Sequence, residues 1–554
     1  ATAMKQKVLE LSFSVWENVM SKRKPLMHHW LNSAKSNLFK EAAVDAQGTK
    51  LNNLKFIAAV LMFVKILKAA LGNEKNVGVL LPSSSIGAII NMTLMVMGKV
   101  PVNLNYTLSP EVMEKALKKA NISQVITSEK FLDKLNAKGF DFSQVVADKA
   151  LFMENLGKSI TKANKVRSFL TAFLAPQWWI KLRYFADVSL EDNATILFSS
   201  GSEGDPKGIE LSHKNLLTNI KQIGELLNFH KDDVILNSLP IFHSFGLTVT
   251  TLLPLCEGIK MVSVADPTDG ATVGKMCARH RVSILFGTST FFRLYVRNKK
   301  FHPLMLQNVR MVIAGAEKLK ADVKEAFKLK FGLEIYEGYG ATETAPVASV
   351  NMPNLLDPET LQEFTFNQAG TVGMPLPGTI IKIVDPESFQ ELPVGEDGLI
   401  LIGGGQVMKG YLDAPEKTAE VIVEIDGVRY YKTGDKGHID HNGFITIVDR
   451  YSRFAKVGGE MISLGSVEEK LSQVFDEETQ FVAVALSDDK KGESIVLLIK
   501  SALSLDEINE RIKGLNVPPI MLPSQVFLVD EIPMLGSGKV DFKGAKNLAM
   551  SLVK

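Results

Sequence analysis

The sequence predicts an α/β protein with two domains. A large N-terminal domain combines α/β subdomains with a small β-barrel-like subdomain, and a small mobile C-terminal domain is α+β. From about residue 37, apolar runs of strand length alternate with longer helical patterns. Beyond residue 370 the runs shorten and are separated by glycines and acidic turns, which is typical of antiparallel strands. The length of 554 residues and the hydrophobic content of 46% also favour more than one domain.

Three segments follow one another along the chain. Residues 1–36 form an N-terminal helical or linker segment, residues 37–449 the main domain, and residues 450–554 the C-terminal domain. A short hinge between the two domains leaves a cleft between them. The patterns predict strands at Val77–Leu81, Val100–Leu104, Gln124–Thr127, Ala194–Phe198, Val282–Phe286, Ile380–Val384, Gly398–Ile402, Phe444–Val448, Phe481–Leu486 and Ile495–Ile499, and helices at Ile86–Met97, Pro110–Ala120, Val467–Val474 and Asp506–Gly514.

Composition and charge limit the class of protein. The net charge of +2 argues by itself neither for nor against nucleic acid, and no nucleic-acid partner is expected. Two cysteines argue against a disulfide framework or a cysteine-rich zinc site and suit a reducing cytosol. We find no signal peptide pattern, and the apolar runs Phe56–Val64 and Ser84–Gly98 are too short to span a bilayer. We therefore expect a cytoplasmic protein, with the cytoplasmic face of the inner membrane as an alternative location.

Residues 162–184 mix basic and large apolar side chains. Five basic residues flank seven apolar ones that include Trp178 and Trp179, and Pro176 divides the segment in two. This mixture suits the interface between lipid and water. It is equally typical of an amphipathic helix that covers a domain core. Peripheral membrane contact is a hypothesis beside that alternative.

The run Phe198–Gly208 is the strongest single signal of a ligand site. Its glycines permit positive φ and close approach, its serines add hydroxyl donors, and Lys207 supplies a point charge for a polyphosphate. A solvated Gly/Ser turn is the alternative. The spacing matches neither a P-loop NTPase nor a Rossmann fingerprint, because Gly208 follows the lysine where a P-loop has Ser or Thr.

Five further motifs follow this loop in a fixed order: Leu239–Gly246, Ala314–Leu319, Tyr336–Thr344, Tyr431–Asp435 and Pro533–Val540. With the loop and Arg450, they resemble the adenylate-forming superfamily of acyl-CoA synthetases, firefly luciferase and peptide-synthetase adenylation domains, from about residue 37 to the end. The closer resemblance is to the synthetase half of the bacterial bifunctional acyl-acyl-carrier-protein synthetases/2-acylglycerophosphoethanolamine acyltransferases.

The resemblance implies a reaction in two halves. A fatty acid carboxylate attacks the α-phosphate of ATP in the presence of Mg²⁺, giving acyl-AMP and pyrophosphate, and a phosphopantetheine thiol then accepts the acyl group. Acyl carrier protein is the first choice of acceptor, and CoA is the alternative. A non-catalytic nucleotide- or lipid-binding relative is the third class to be weighed.

The resemblance also assigns roles to residues at motif positions. Lys539, Thr342, Glu343 and His243 are implied in catalysis: Thr342 at the α-phosphate, Glu343 as the Mg²⁺ ligand, and His243 near the acyl carboxylate. A buried core histidine and a solvated surface lysine are the alternatives for His243 and Lys539. The implied nucleotide site comprises Ser199, Ser200, Gly201, Ser202 and Lys207 at the phosphates, Asp435 at the ribose, Arg450 at the ribose or a phosphate, and Gly315, Ala316, Glu317 and Tyr339 around the base, together with Glu203, Gly204 and Gly340.

The second half-reaction is expected to use another face of the C-terminal domain. Rotation about a hinge at Arg453 would present the loop Lys456–Met461, where Gly458 and Gly459, followed by Glu460, leave room for a phosphopantetheine arm. Arg453 departs from the Asp or Lys usual in the family at the hinge. Glu203 stands where most members have Thr, and we expect it to pair with Lys207 or to approach the metal.

The acyl group and the acceptor have their own candidate residues. Phe242, Phe245 and Phe291 supply apolar walls that suit a medium or long fatty acid better than acetate or an amino acid. A basic patch for an acidic carrier protein is predicted from Arg453, Lys456, Lys490 and Lys491, with solvated surface as the alternative.

Overall fold

The main domain is built on a nine-stranded sheet. The computed structural model describes residues 2–199, 205–476, 478–535 and 539–553. The six inner strands run parallel and the outer pairings are antiparallel. The central strands Val234–Asn237, Ile284–Gly287 and Met311–Ala314 are buried on both faces, which explains their nearly continuous apolar sequences. From one edge to the other the order is Met374–Pro375, Val347–Val350, Ile335–Gly340, Met311–Ala314, Ile284–Gly287, Val234–Asn237, Lys260–Ser263, Glu41–Asp45 and Lys50–Asn52.

A second sheet and a three-stranded ribbon pack beside the first sheet. The second sheet is parallel, with the order Val100–Asn103, Asn76–Leu80, Val125–Thr127 and Ala150–Phe152. The ribbon is antiparallel, with the order Gly410–Tyr411, Lys207–Ser212 and Asn193–Ser199. The candidate phosphate loop therefore joins the two strands of a hairpin, in which Ser199 pairs with Lys207.

An antiparallel sheet ends the main domain, as the short strands beyond residue 370 predict. The long strand Val428–Ile439 pairs with three neighbours. The last of these neighbours, Ile445–Arg450, leads into the C-terminal domain. The strands of this sheet are Ile380–Val384, Gly398–Gly403, Ile422–Ile425, Val428–Ile439 and Ile445–Arg450, and a separate hairpin joins Leu355–Leu356 to Glu363–Phe364.

The C-terminal domain is α+β, as predicted. Its sheet has the order Glu460–Ser463, Phe454–Val457, Gly492–Lys500 and Gln480–Asp488, and Gln525–Leu528 runs parallel to Gly492–Lys500. The helices Leu464–Leu471, Leu505–Lys513 and Phe542–Leu552 cover it. The first helix begins three residues before its predicted start, because Ser463 caps it by accepting a hydrogen bond from Ser466 N at 3.1 Å.

The helices of the main domain surround its sheets. The run Phe56–Val64 lies in the helix Asn53–Ala70 and is largely buried, as expected. No helix in the described ranges is long and apolar enough to cross a membrane. The α-helices are Thr2–Met20, Leu26–Ser36, Asn53–Ala70, Ser85–Val96, Pro110–Lys119, Glu129–Ala137, Ser143–Val146, Met153–Lys158, Lys162–Leu174, Gln177–Tyr184, His213–Leu227, Leu253–Glu257, Gly270–His280, Ser289–Arg297, Ala321–Phe331 and Pro415–Val421, and Phe245–Leu252 is a π-helix.

The segment 1–36 is packed onto the main domain. Leu26, Met27, Trp30 and Leu31 are buried in the largest hydrophobic core, together with residues of the helix Asn53–Ala70. The helix Thr2–Met20 lies against the antiparallel sheet, where Gly378 N donates to Ser12 Oγ at 2.9 Å. This segment is therefore part of the structural body that carries the cleft.

Candidate active site

The cleft lies at the carboxyl ends of neighbouring parallel strands. The loops after Val234–Asn237, Met311–Ala314 and Ile335–Gly340 all open into it. Ligands of open α/β sheets bind at this edge, because the loops that leave adjacent strands converge there. The cleft has a volume of about 2940 Å³ and is closed on one side by the C-terminal domain. Motifs that are far apart in the sequence meet in it for this reason.

The described ends of the phosphate loop are firmly held. Lys207 lies over the ring of Tyr411, with Nζ at 5.2 Å from the ring centre. Asp205 accepts hydrogen bonds from Lys119 Nζ at 3.2 Å and from Lys417 Nζ at 3.4 Å, which lower its pKa. Ser199 and Lys207 both line the cleft. The predicted phosphate ligands Ser200, Gly201, Ser202, Glu203 and Gly204 lie outside the described residues.

Thr342 and Glu343 lie on one short turn at the cleft floor. The main chain of this turn is fixed, since Met408 N donates to Glu343 O at 2.8 Å and Ala341 N donates to Thr344 Oγ1 at 3.1 Å. Gly340 leads into the turn, and a Cβ there would lie 1.8 Å from Pro346 O, so only glycine fits. Tyr411 Oη donates to Glu343 Oε1 at 3.1 Å. A carboxylate with one such bond keeps further acceptor sites, which suits a Mg²⁺ ligand.

Asp435 and Tyr339 form the candidate ribose and base site. Tyr339 Oη donates a short hydrogen bond to Asp435 Oδ2, and Asp435 N donates to Thr433 Oγ1 at 3.0 Å. Burial raises the pKa of Asp435, against the opposing effects of Tyr339 and Arg450. Arg450 Nε lies 3.8 Å from Asp435 Oδ1, and its side chain is 70% exposed. An exposed guanidinium beside a buried carboxylate fits the predicted contacts with a ribose or a phosphate.

The loop 315–317 lies between the base site and the acyl site. A Cβ at Gly315 would lie 3.3 Å from Phe245 Cζ, so the small residue permits the close packing of this ring. Ala316 has a φ of +70°, which is unusual for a residue with a Cβ. Thr290 N donates to Glu317 Oε1 at 2.6 Å, so Glu317 also holds the first turn of the helix Ser289–Arg297.

His243 is a neutral hydrogen-bond donor in the cleft. Burial, and secondly Lys539, lower its pKa to about 4. Phe245 N donates to His243 Nδ1 at 3.3 Å, so in the neutral ring the proton is on Nε2. The π-helix Phe245–Leu252 follows directly and fixes the main chain. The ring is partly exposed in the cleft, which argues against the alternative of a fully buried core histidine.

Lys539 reaches into the cleft from the C-terminal domain. Its Nζ donates to Ala316 O at 3.1 Å. Its pKa is lowered, mainly by desolvation and secondly by Arg450, against the opposing effect of Glu317. Lys539 is exposed, as the alternative of a surface lysine predicts, but a lysine in free solvent would lack the contact with Ala316 O. The predicted base loop and the predicted catalytic lysine therefore meet across the domain boundary.

The loop implied in the second half-reaction is not brought into the cleft. Lys456, Gly458, Gly459 and Glu460 are exposed elsewhere on the C-terminal domain. Gly458 and Gly459 have positive φ values of 58° and 90° and form the turn between the strands Phe454–Val457 and Glu460–Ser463. Gly458 N donates to Lys491 O at 2.9 Å, so Lys456, Lys490 and Lys491 are close in space.

The prediction that Arg453 belongs to a basic surface patch is wrong. Its side chain is only 9% exposed and forms two hydrogen bonds with Glu468, the shorter at 2.6 Å. It also donates to Ala483 O at 3.2 Å and lies over the ring of Phe542. Arg453 anchors the start of the C-terminal domain to its own core, because a buried guanidinium requires such partners.

The three predicted acyl-pocket residues line the cleft together. Phe242 meets Tyr106 edge to face at 4.7 Å, and Phe245 meets Phe286 in the same way at 5.9 Å. Phe291 is partly buried in the same hydrophobic cluster as Phe245. Beyond them the lining continues with side chains of the helix His213–Leu227: Ile223, Leu226 and Leu227.

Sequence reasoning missed Tyr411 and Glu337. Tyr411 contacts both Lys207 and the carboxylate of Glu343, as described above, and it pairs with Ile209 across the ribbon. Glu337 accepts a hydrogen bond from Leu319 N at 3.0 Å, and burial raises its pKa to about 7. Glu337 lies in the motif Tyr336–Thr344, which was a usable signal. Tyr411 belongs to none of the five motifs, and only the folded ribbon reveals its position.

The comparisons with known proteins agree with this geometry. The family model described as AMP-binding enzyme matches residues 33–412. The chain belongs to this family. A long-chain-fatty-acid–CoA ligase of Salmonella typhimurium is 27% identical over 501 residues, which cover 86% of each chain. The enzyme of the same name from Bacillus subtilis is 26% identical over 528 residues, which cover 90% of each chain.

Solved structures of AMP-binding enzymes share the fold. ATP-bound MatB from Rhodopseudomonas palustris has a TM-score of 0.77 at 23% identity, covering 95% of this chain and 100% of that one. The o-succinylbenzoate–CoA synthetase MenE of Bacillus subtilis, in complex with ATP and magnesium ion, has a TM-score of 0.75 at 21% identity, covering 94% and 98%. The predicted superfamily and fold class are confirmed, and so, at the level of the family, are ATP and Mg²⁺ as cofactors.

Proposed function

We propose that this AMP-binding enzyme activates a medium- or long-chain fatty acid to acyl-AMP and transfers the acyl group to a thiol. The observation that carries the proposal is Lys539 in the cleft, bonded to the base loop at Ala316 O. His243, Thr342, Glu343 and Asp435 line the same cleft. Relatives that match along 86% to 90% of both chains are named long-chain-fatty-acid–CoA ligases, which supports a fatty acid as the substrate.

The residues of the cleft supply what the first half-reaction needs. A carboxylate and a triphosphate repel each other, so cations and neutral donors must compensate the charge where they meet. Lys539 brings an ammonium, and neutral His243 brings an Nε2–H that can donate to a carboxylate oxygen. Thr342 lies 3.4 Å, Oγ1 to Oγ, from Ser244, and offers a hydroxyl on the turn that carries Glu343. Glu343 would hold Mg²⁺, which neutralises phosphate charge when it is bound.

The part of the cleft that is lined by the three phenylalanines supports a fatty acid over a polar acid. Its walls are aromatic at Phe242, Phe245 and Phe291, and aliphatic along the helix His213–Leu227. Burial of methylene groups against such walls contributes about 0.8 kcal/mol each. We therefore expect a fatty acid whose acyl chain fills this part of the cleft to bind more tightly than a short acid.

CoA is the acceptor that the relatives favour, and acyl carrier protein is the second candidate. The named relatives are CoA ligases over nearly their whole length. One observation favours the carrier protein. Lys456, Lys490 and Lys491 are exposed around the turn at Gly458 and Gly459 and would complement an acidic protein surface. The same lysines would also complement the phosphates of CoA. Arg453 does not belong to this basic patch, because its side chain is buried.

The deciding experiment offers each acceptor separately. The enzyme is incubated with ATP, Mg²⁺ and palmitate, with either CoA or a holo-acyl carrier protein, and the thioester products are weighed by mass spectrometry. We expect palmitoyl-CoA as the main product. Palmitoyl-carrier protein without palmitoyl-CoA would reverse the order of the two candidates. Absence of palmitate-dependent exchange of labelled pyrophosphate into ATP would overturn fatty acid activation altogether.

Further expectations from the sequence belong to the same proposal: the roles of the site residues, the domain boundaries at residues 36 and 449, and the cytoplasmic location. The position of His243, Thr342, Glu343, Asp435 and Lys539 in one cleft supports the roles of these five residues.

A further inference from the structure

The helices Lys162–Leu174 and Gln177–Tyr184 expose an unusual amount of apolar side chain. Leu174 is 70% exposed, Trp178 66% and Leu182 80%. Such a concentration of large apolar groups on one helical hairpin marks an interaction site rather than ordinary surface. We define the hairpin face as the exposed apolar side chains of these helices together with Phe39, whose ring is 6.3 Å from that of Phe173: Phe39, Val166, Phe169, Leu170, Phe173, Leu174, Trp178, Trp179 and Leu182.

The core does not account for these side chains. The hairpin packs inward through Ser168, Ala172 and Ile180, which are buried. Polar contacts hold it in place, because Lys35 Nζ donates to Ala172 O at 2.9 Å and Lys181 Nζ donates to Asn32 Oδ1 at 2.6 Å. The hairpin is thus attached by its inner side, and its largest apolar groups remain on the outer side.

The charges on the hairpin itself have one sign. Residues 162–184 contain Lys162, Lys165, Arg167, Lys181 and Arg183, and no Asp or Glu. Four of these five side chains are exposed, and Lys181 is half-buried. Two copies of a face with this charge would repel each other. An anionic lipid surface instead attracts the basic groups and accepts the apolar ones.

We propose that the hairpin face docks the protein onto an anionic phospholipid bilayer, with Leu174, Trp178 and Leu182 inserted at the boundary between the headgroups and the acyl chains. Tryptophan is suited to this depth because its ring is apolar and its N–H is polar. The hairpin contributes none of the residues that line the cleft, so docking leaves the cleft residues free. The proposal goes beyond the proposed function and does not depend on the choice of acceptor.

The test compares the full chain with matched variants in vesicle co-sedimentation. Vesicles contain phosphatidylcholine alone or phosphatidylcholine with phosphatidylglycerol. We expect the wild type to bind the second kind more tightly and to be released by salt. Leu174→Glu with Trp178→Glu should weaken binding at least about tenfold, since two inserted groups are lost. Lys165→Gln with Arg167→Gln should weaken binding to the anionic vesicles only.

The control is Leu329→Glu, because Leu329 is 81% exposed on the remote helix Ala321–Phe331. This variant should bind like the wild type, and thermal melting should show that all variants are folded. A wild type that binds neither vesicle would overturn the proposal, and so would equal binding by the Leu174→Glu/Trp178→Glu variant. Size-exclusion chromatography with light scattering tests the other occupant. The hairpin face would instead bind a second copy of the chain if the wild type were a dimer that did not bind vesicles and the Leu174→Glu/Trp178→Glu variant were a monomer.

Discussion

At the scale of single residues, the hydroxyl and the ring of Tyr411 have separate partners. The ring lies beneath Lys207 and the hydroxyl donates to Glu343. The candidate phosphate ligand Lys207 and the candidate metal ligand Glu343 are therefore both in contact with one side chain. Two substitutions can separate the two contacts.

Tyr411→Phe should raise the Mg²⁺ concentration needed for pyrophosphate exchange by about tenfold, because a hydrogen bond to a charged group contributes about 1.5–3 kcal/mol. Tyr411→Leu should also raise the KM for ATP by a further factor of about three, since the ring beneath Lys207 is lost. Titrations of exchange activity with Mg²⁺ and ATP measure both effects. Tyr184→Phe, which changes a tyrosine outside the cleft, should alter neither. An unchanged Mg²⁺ dependence in Tyr411→Phe would show that the hydroxyl does not position Glu343.

Glu337 should make stability depend on pH. Its pKa in the folded protein is about 7, against an ordinary value of 4.5. Below pH 4.5 both states are protonated. Between pH 4.5 and 7 the unfolded chain loses the proton while the folded chain keeps it, so the free energy of unfolding falls as pH rises, by up to about 3 kcal/mol.

Glu337→Gln should remove this fall, because an amide does not titrate and its oxygen can still accept from Leu319 N. Urea unfolding at pH 4.5 and pH 8 measures the difference: the variant should match the wild type at the lower pH and exceed it at the higher one. If the variant and the wild type differed in the free energy of unfolding by the same amount at both pH values, the pKa of Glu337 would not be raised in the folded protein.

At the scale of elements, Asp449 links the last strand of the main domain to a helix of the C-terminal domain. Its Oδ2 accepts hydrogen bonds from Ser463 Oγ at 2.7 Å and from Gly465 N at 2.9 Å. These donors lie at the start of the helix Leu464–Leu471, where a carboxylate also interacts favourably with the helix dipole. A rotation of the C-terminal domain about residues 450–453 would break both bonds.

Asp449→Ala should therefore slow acyl-AMP formation by about tenfold while transfer from preformed acyl-AMP changes little. Pyrophosphate exchange measures the first half-reaction, and single-turnover thioester formation from acyl-AMP measures the second. Asp385→Ala provides a matched control, since Asp385 accepts from the main chain of a turn at Glu387 and Ser388 in the same antiparallel sheet. Equal losses in both halves would show that Asp449 acts on folding rather than on domain orientation.

The sequence predicts strands better than it predicts the partners of side chains. For most of the predicted strands, the apolar runs give both ends to within about two residues, because burial on both faces selects apolar residues. The sequence predicts the start of the helix Leu464–Leu471 three residues too late, because Ser463 caps it and the distant Asp449 binds its first turn. The sequence near Arg453 does not predict that Glu468 and Phe542 surround its side chain. Motif positions located the cleft, whereas Tyr411 required the ribbon pairing to be known.

At the scale of the whole molecule, the C-terminal domain presents Lys539 to the cleft and the turn at Gly459 to solvent. Lys539→Ala should reduce pyrophosphate exchange by at least about 100-fold, because a charge that acts where the anions meet is lost. Thioester formation from supplied acyl-AMP should be far less affected. An equal loss of both activities would contradict this division.

Gly459→Leu should have the opposite effect. A Cβ at Gly459 has no neighbour within 4 Å, so exchange should be kept, whereas a bulky side chain would block the approach of a thiol once the turn faces the cleft. Gly459→Ala imposes the same strain at a φ of +90° without the bulk and serves as the control. Exchange and thioester assays on the same preparations measure both. Normal thioester formation by Gly459→Leu would place the acceptor elsewhere.

The strands Val428–Ile439 and Ile445–Arg450 carry both Asp435, the candidate ribose ligand, and Arg450, the residue at which the C-terminal domain is predicted to begin. Asp435 and Arg450 are direct partners in the register of this pair. A ribose bound to Asp435 would therefore lie beside the start of the C-terminal domain. We expect that loss of the nucleotide and rotation of this domain favour each other for this reason.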